Sequence, residues 1–257
     1  MTLARRAVAC WTCSFHWGTP LMPEPLAISV IVPCWRDERA LARLLDRLVQ
    51  LFIDAAVPGE IIVVDGAASD SCRALCERYA ARWLPAEPCR GRQLRLGAAE
   101  ARHPVLWFLH ADAQLHGEPL QAMLAACSTG AVGGYFRFRF ASDSWQGRVL
   151  ERLIGWRCRV GVPYGDQGLF ATAAAYQRCG QHSPWPLFEE VELVKRLRRC
   201  GPFVRLDDGV RVDPRRWQRD GWWRRSLRNR LLALQFSCGV PAERLAQRYA
   251  PTPPRQD

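Results

Sequence analysis

Two acidic residues stand at the ends of strongly apolar segments. Asp65 closes the segment EIIVVD, and Asp112 follows VLWFLHA, two positions after His110. In a parallel sheet, ligands bind beyond the carboxyl ends of the strands, where such residues meet. A single Asp there can simply cap the next helix, whereas two at equivalent strand ends favour a ligand site. The spacing therefore predicts a site that includes Asp65, Asp112 and His110.

A further acidic cluster lies in the segment PLFEEVEL, which holds Glu189, Glu190 and Glu192. A fixed carboxylate can act as a general base that removes a proton from a hydroxyl group. Acidic side chains at the start of a helix are also favoured by the helix macrodipole alone. The two interpretations are compatible, because one residue at a helix end can serve in both ways.

The chain is strongly basic, since 36 Lys and Arg residues against 25 Asp and Glu residues give it a net charge of +11. This excess favours an anionic partner, which is a phosphate ligand, a nucleic acid or a membrane surface. The sequence has no helix-turn-helix, RNA-recognition or zinc-finger pattern, so no nucleic-acid partner is expected. It also has no run of about eighteen apolar residues, so no membrane-spanning helix is expected.

The eleven cysteines are scattered, and their odd number argues against a disulfide framework. They are interpreted as small buried thiols, which places the protein in the reducing cytoplasm. Cys10 and Cys13 form a C-x-x-C pair, but no second pair at zinc-binding spacing follows it. A metal cluster at that pair is therefore the less favoured interpretation.

Buried strands alternate with amphipathic helices in the first half of the chain. The predicted strands are Ala27–Pro33, Glu60–Asp65, a short one at Arg82–Leu84, and Val105–His110. The predicted helices are Arg39–Leu51, Ser69–Tyr79 and Gly91–Arg102. This alternation predicts an α/β fold, with a mostly parallel central sheet flanked by helices.

The second half of the chain has a mixed pattern. Aromatic and basic residues alternate in Gly134–Phe140, which predicts a strand with one buried and one charged face. The predicted helices of this half are Trp145–Val160, one that ends near Cys200, Gly221–Cys238 and Pro241–Tyr249. Strands are predicted at LFAT and within residues 203–213.

The two ends of the chain do not share these patterns. Residues 1–26 combine a basic start with an apolar patch that Trp, Thr, Ser and His interrupt, so they are not interpreted as a signal peptide. We expect a poorly ordered or non-native extension, with Met22 as the true start. Residues 27–250 are predicted to form one domain, and residues 251–257 a tail.

Six segments resemble those of a known enzyme family. SVIVPCWRDE, EIIVVDGAASD and WFLHADA resemble the nucleotide-sugar-binding segments of family-2 glycosyltransferases with the GT-A fold. PYGDQGLF, PLFEEVELVKRLR and RRW resemble one subgroup, the short transferases associated with arsenosugar biosynthesis. The resemblance runs from about Ile28 to Tyr249, and the segments stand in the family's order.

The resemblance implies an inverting, metal-dependent transfer from a nucleotide sugar, most simply a UDP-sugar, to a hydroxyl acceptor. It implies a donor site in which Asp65 accepts the uracil imide and Arg92 faces the diphosphate. The implied donor-site residues are Pro33, Trp35, Asp37, Glu38, Asp65, Arg92, His110 and Asp112.

Asp112 is implied as the principal protein ligand of a divalent cation, Mn²⁺ or Mg²⁺, which takes few protein ligands and several phosphate oxygens. His110 either ligates the cation or packs against the nucleoside. Glu190 is implied as the general base, at a position where the family usually has Asp. The remaining residues are expected on the acceptor or diphosphate side: Asp166, Gln167, Glu189, Arg216 and Trp217.

A second hypothesis is a basic, non-catalytic protein that binds a nucleic acid or a membrane surface. It accounts for the charge but not for the carboxylates at the strand ends. Residues 211–230 hold eight Arg against two Asp, and apolar residues recur on one side of the predicted helix: Trp222, Trp223, Leu227, Leu231 and Leu234. This helix either lies on the anionic inner face of a membrane or packs on the core.

Overall fold

The computed structural model describes residues 26–249. Its strands are β1 Ile28–Cys34, β2 Gly59–Asp65, β3 Arg82–Pro85, β4 Val105–Phe108, β5 Gln114–Leu115, β6 Gly133–Phe136, β7 Phe170–Thr172, β8 Phe203–Leu206 and β9 Val210–Arg211. Seven of them form one sheet in the order β3-β2-β1-β4-β7-β6-β8. The first four are parallel, whereas β7 runs antiparallel to both β4 and β6. The predicted α/β class with a mostly parallel sheet is confirmed.

Helices cover this sheet and close the chain. They are α1 Glu38–Ala55, α2 Asp70–Arg78, α3 Arg90–Ala99, α4 Pro119–Ser128, α5 Trp145–Val160, α6 Ala173–Arg178, α7 Val191–Cys200, α8 Arg215–Asp220, α9 Trp222–Ser237 and α10 Ala242–Tyr249. The leucine stripe predicted for α1, from Leu41 to Leu51, is buried throughout. None of the helices within residues 26–249 is long and apolar enough to cross a lipid bilayer.

The sheet carries a separate core on each face, because successive strand residues point to opposite sides. Val30, Val32 and Trp107 pack with the leucines of α1. Ile31 and Phe108 face the other way and pack with buried residues of α3, α6 and α7. The continuous apolar strands of the first half are explained by this burial on both faces.

The alternation of Gly134–Phe140 is also confirmed, although the regular strand β6 ends at Phe136. Phe138 and Phe140 continue the buried face and pack against Trp217 of α8. Four elements were not predicted, and they are α4, β5, α6 and α8. β5 pairs only with β9, in a small two-stranded sheet.

The topology places a ligand site between β1 and β4. β1 is bordered by β2 on one side and by β4 on the other, so the chain order reverses between these neighbours. Clefts form at such switch points, beyond the carboxyl ends of the strands. The segments after β1 and β4 carry Asp37 and Asp112.

The expectations for the extension, residues 1–26, and for the tail, residues 251–257, fall almost entirely outside the described residues.

Candidate active site

Asp37 and Asp112 meet at the switch point through one arginine. Nη2 of Arg215 donates to Oδ2 of Asp37 at 3.3 Å and to Oδ2 of Asp112 at 3.4 Å. Arg216 adds a longer ion pair with Asp112, at 3.8 Å. Two carboxylates after separate strands therefore share one cationic contact.

Asp112 is held in its ionised form. Burial acts to raise its pKa, but the neighbouring His110, Arg216 and Arg215 together keep the pKa below the ordinary value for Asp. A cavity of about 300 Å³ opens beside it, and Arg43 and Arg47 of α1 also line this space. Asp213 lines the same space, so arginine and aspartate side chains both face the cavity next to Asp112.

His110 lies beside Gly165 and interacts with the charge of Asp112. Burial, followed by the charge of Arg90, lowers the pKa of His110 to about 4, so the imidazole is neutral at pH 7. Its Nε2 is buried and lacks a hydrogen-bond partner among residues 26–249. A β-carbon placed on Gly165 would lie 3.0 Å from this nitrogen and 3.9 Å from Oε1 of Glu189. The imidazole, Gly165 and Glu189 are thus close neighbours, and a side chain at position 165 would crowd the imidazole.

Glu189 belongs to a sharp turn just before α7, which we call the acidic turn (Phe188–Glu190). Phe188 adopts a left-handed backbone with φ of 59°, and the two glutamates follow it. The buried carboxylate of Glu189 forms a bidentate ion pair with Arg90, in which Nη2 donates to Oε2 at 2.9 Å. Burial acts to raise the pKa of Glu189, but Arg90 outweighs it and holds the pKa below the ordinary value.

Glu190 has a different environment. Its exposed fraction is 3%. Oε1 accepts a hydrogen bond from the backbone N–H of Gly165 at 3.3 Å. Oε2 is buried with no partner in the described part of the chain. Burial, followed by the negative charge of Glu189, raises the pKa of Glu190 to about 8. A carboxylate with a raised pKa and a free oxygen is suited to accept a proton.

The turn that carries Gly165 is a single 3-10 turn, Gly165–Gln167. Burial raises the pKa of Asp166 to about 6, and its Oδ1 is a second buried oxygen unpaired within residues 26–249. Gln167 was predicted on the acceptor or diphosphate side, but it is 2% exposed and points into the core. Its Nε2 donates to the carbonyl of Phe136 at 3.0 Å, so it anchors the turn.

The predicted nucleoside residues form a separate group. Asp65 is 1% exposed, and its oxygens accept from the backbone N–H groups of Ala67 at 2.9 Å and Ser69 at 2.8 Å. Glu38 accepts from the Ser69 hydroxyl at 3.1 Å. Contact of Asp65 with a base would need this loop to open. The cap of α2 is Ser69, whose hydroxyl accepts from the backbone N–H of Cys72 at 3.3 Å, and Asp65 holds the loop that precedes this cap.

Pro33 and Trp35 lie at the carboxyl end of β1, next to the strand that ends in Asp65. Pro33 is buried in β1 and pairs in register with Val64 of β2. Trp35 follows the strand with an exposed fraction of 43%, and the guanidinium of Arg36 lies 5.4 Å from its ring centre. An exposed aromatic ring at a strand end offers a flat surface on which a base can stack.

Two further predicted side chains, those of Arg92 and Trp217, point away from the positions expected for them. Arg92 lies on the outer side of α3, with 62% of its side chain exposed, and pairs with Glu87. The cleft instead receives Arg90, since α3 buries the stripe that contains Gln93 and Gly97. Trp217 was expected near the diphosphate, but it is buried against Phe140 in the core.

Arg90 and Arg215 are the functional residues that the sequence predictions missed. Arg90 shares the buried stripe of α3 at the i, i+3 and i+7 spacing, which is a signal that could have identified it. Arg215 was noted only as part of the RRW segment. Its contacts depend on α8, which has no pattern of its own in the sequence.

The family model described as glycosyl transferase family 2 matches residues 29–178. The chain belongs to this family. The matched region contains β1, β2 and β4, whose ends carry Asp37, Asp65 and Asp112. It stops before the acidic turn, so Glu189 and Glu190 lie outside it.

Solved structures of glycosyltransferases share the fold. S. aureus TarS 1–349 in complex with UDP-GlcNAc is 14% identical with a TM-score of 0.55, over 73% of this chain and 58% of that one. Glucosyl-3-phosphoglycerate synthase from Mycobacterium tuberculosis with phosphoglyceric acid is 18% identical with a TM-score of 0.51, over 72% and 71%. Mannosyl-3-phosphoglycerate synthase from Rubrobacter xylanophilus is 15% identical with a TM-score of 0.52, over 80% and 74%.

At these identities the likeness concerns the fold, and the alignment spans only 37% of the full TarS chain. The comparison with curated proteins gives no match. Family and fold together make this chain a glycosyltransferase of the GT-A type. The arsenosugar subgroup stays a prediction.

Proposed function

We propose that residues 27–250 form one catalytic unit that transfers a sugar, with inversion, from a UDP-sugar to a hydroxyl acceptor. The observation that carries this proposal is Glu190, a buried carboxylate with an unpaired oxygen and a pKa raised to about 8. It adjoins Gly165, which in turn adjoins His110 and so the end of β4. The UDP-GlcNAc and UDP complexes of TarS support the choice of donor.

Glu190 would act as the general base. It would take the proton of the acceptor hydroxyl while that oxygen attacks the anomeric carbon from the face opposite the diphosphate. The bond between the anomeric carbon and the diphosphate oxygen breaks as the new bond forms, so the configuration inverts. Arg216, whose guanidinium lies 3.8 Å from Asp112, would neutralise the departing diphosphate.

Arg90 and Glu189 would tune this base. Their ion pair keeps Glu189 charged, and the negative charge of Glu189 helps to raise the pKa of Glu190. A base whose pKa lies near the working pH transfers protons most effectively. We therefore assign Glu189 to base tuning and not to proton transfer.

A divalent cation would be held by Asp112. Within residues 26–249 no group of three His, Cys, Asp or Glu side chains could hold a metal ion. The fit is nevertheless good for Mn²⁺ or Mg²⁺ in a donor complex, since such cations accept one carboxylate together with substrate phosphates. The buried, unpartnered Nε2 of His110 supplies a second candidate donor, which suits Mn²⁺ better than Mg²⁺. When bound, the cation would stabilise the charge of the leaving diphosphate.

Cytoplasmic location, with the closing helices against the inner face of a membrane, is part of the same proposal. The nine cysteines within residues 26–249 are free thiols, which suits a reducing compartment.

The test of the base is Glu190→Gln, which keeps size but cannot accept the proton. Turnover of a UDP-sugar should fall roughly 10²–10⁴-fold, with donor affinity almost unchanged. Glu192→Gln is the matched control, because Glu192 is exposed and pairs with Lys195 on the outside of α7. Equal turnover in the Glu190 variant and the control would exclude Glu190 as the base.

The cation has a separate test. Calorimetry should show that UDP binds more tightly with Mn²⁺ than with EDTA, and Asp112→Ala should remove that difference without unfolding the protein. Equal affinity of the wild type with and without the metal would refute the role of Asp112.

A further inference from the structure

The large apolar side chains that remain exposed are concentrated on two helices. Within residues 26–249, eleven large hydrophobic residues are exposed, and eight of them lie on α5 or α9. On α5 they are Trp145, Leu153, Trp156 and Val160, with exposed fractions between 43% and 73%. On α9 they are Trp223, Leu227, Leu231 and Leu234, between 49% and 61%. Contiguous apolar surface of this kind marks an interaction site in a soluble domain.

The two stripes form one face. The rings of Trp145 and Trp223 lie 6.2 Å apart, so the helices meet at their amino-terminal ends. Between them lies an open apolar groove of about 550 Å³, lined by Leu150, Leu153, Trp223 and Leu227 among others. We call these eight exposed residues and the groove the α5/α9 face.

The charges around this face select its partner. Exposed arginines border it on both helices, and they are Arg148, Arg152, Arg159, Arg224, Arg228 and Arg230. The two helices contain a single acidic residue, Glu151, and its Oε1 accepts from the backbone N–H of Phe140 at 2.8 Å. Exposed tryptophans and leucines bordered by arginines match an interface between acyl chains and anionic headgroups.

We propose that the α5/α9 face docks the enzyme on an anionic lipid bilayer. Trp156 and Leu227 would enter the interfacial layer, and the bordering arginines would contact lipid phosphates. The inner side of α9 packs on the acidic turn, where the rings of Phe188 and Phe236 stack at 4.8 Å. Docking would therefore hold the Glu190 side of the cleft near the membrane.

The experiment is co-sedimentation of the full chain with vesicles of phosphatidylcholine alone and of phosphatidylcholine with phosphatidylglycerol. We expect binding to the anionic vesicles to be roughly tenfold tighter or more, and to weaken when salt is raised. Absence of binding to anionic vesicles would overturn the proposal.

Two variants test the face itself. Leu227→Glu with Leu231→Glu should reduce binding to anionic vesicles roughly tenfold or more. The matched control is Ile53→Glu on α1, which changes a side chain that is 67% exposed outside the face. Arg224→Ala with Arg228→Ala should weaken binding to anionic vesicles and leave any binding to neutral vesicles unchanged. Equal binding by the leucine variant and the control would overturn the proposal.

Light scattering of the protein in solution would test a different occupant of the α5/α9 face, namely a second copy of the chain. A dimer that the leucine variant dissociates, together with absent vesicle binding, would make the face a subunit interface and overturn membrane docking. The docking proposal does not rest on the transfer chemistry. UDP binding measured in parallel should be the same in all of these variants, which separates failure of docking from failure of the catalytic proposal.

Discussion

The β2–α2 loop and the acidic turn both bury a carboxylate, but the two carboxylates differ in how many hydrogen bonds they accept. Both oxygens of Asp65 accept from backbone N–H groups of their own loop. One oxygen of Glu190 accepts a single long bond, and the other has no partner in the described part of the chain. Buried polar atoms without partners cost free energy. The Asp65 loop satisfies its buried carboxylate, whereas the acidic turn leaves an oxygen of the proposed base unpaired at a cost in stability.

The largest test of this contrast is Arg90→Met, which removes the cation that pairs with Glu189. A buried charge without its partner costs about 3–5 kcal/mol, so we expect a loss of that size in the free energy of unfolding. Denaturant titration measures it. Arg92→Met is the matched control, since its pair with Glu87 is exposed and should contribute less than about 1 kcal/mol. Similar losses in the two variants would contradict a special role for Arg90.

Asp65→Ala should have the next largest effect. It leaves the N–H groups of Ala67 and Ser69 without their acceptor, which predicts a loss of about 1–3 kcal/mol in stability. Asp54→Ala, at an exposed position of α1, should change the free energy of unfolding by less than about 0.5 kcal/mol. A stable Asp65 variant that has lost UDP binding would instead show that this carboxylate contacts the base, and the contrast would fail.

At pH 5, Glu190→Gln should produce the smallest change in stability, and of the opposite sign. The pKa of Glu190 is raised from 4.5 to about 8, so the neutral form favours folding and ionisation opposes it. Gln does not ionise. The variant should therefore gain stability over the wild type as the pH rises from about 5 to 8, by roughly 1 kcal/mol for each pH unit in that range. Melting curves across this range measure the difference, and a gap that shrinks with rising pH would refute the raised pKa.

The sequence predicted the elements whose pattern repeats over several turns or several strand residues. The apolar runs of β1, β2 and β4 and the leucine stripe of α1 have local periodicity, and the structure confirms them. β5 has two residues, and α4 buries only Pro119, Leu120 and Met123, so neither has a strong periodic signal. Patterns shorter than two turns carry too little information to locate an element.

For the site, residue types were more predictable than the direction of individual side chains. Arg92 was predicted in the donor site, but the helical register that turns Arg90 inward and Arg92 outward was not applied. Gln167 and Trp217 lie in segments that adjoin the cleft, and tertiary packing directs both side chains into the core. Such directions depend on neighbours distant in sequence, including Phe136 and Phe140.

The left-handed backbone at Phe188 depends on a helix that lies much later in the chain. A bulky residue in that conformation costs on the order of 1–3 kcal/mol and persists only when its surroundings hold it. Phe236 of α9 stacks on the Phe188 ring, some 48 residues further along the chain. The family match stops at residue 178, so it includes neither the proposed base Glu190 nor α9, which packs on the acidic turn. The structural unit that positions Glu190 therefore extends beyond the region matched by the family model. A chain shortened to residues 29–178 would lack Glu190 and the α9 helix that packs beside it.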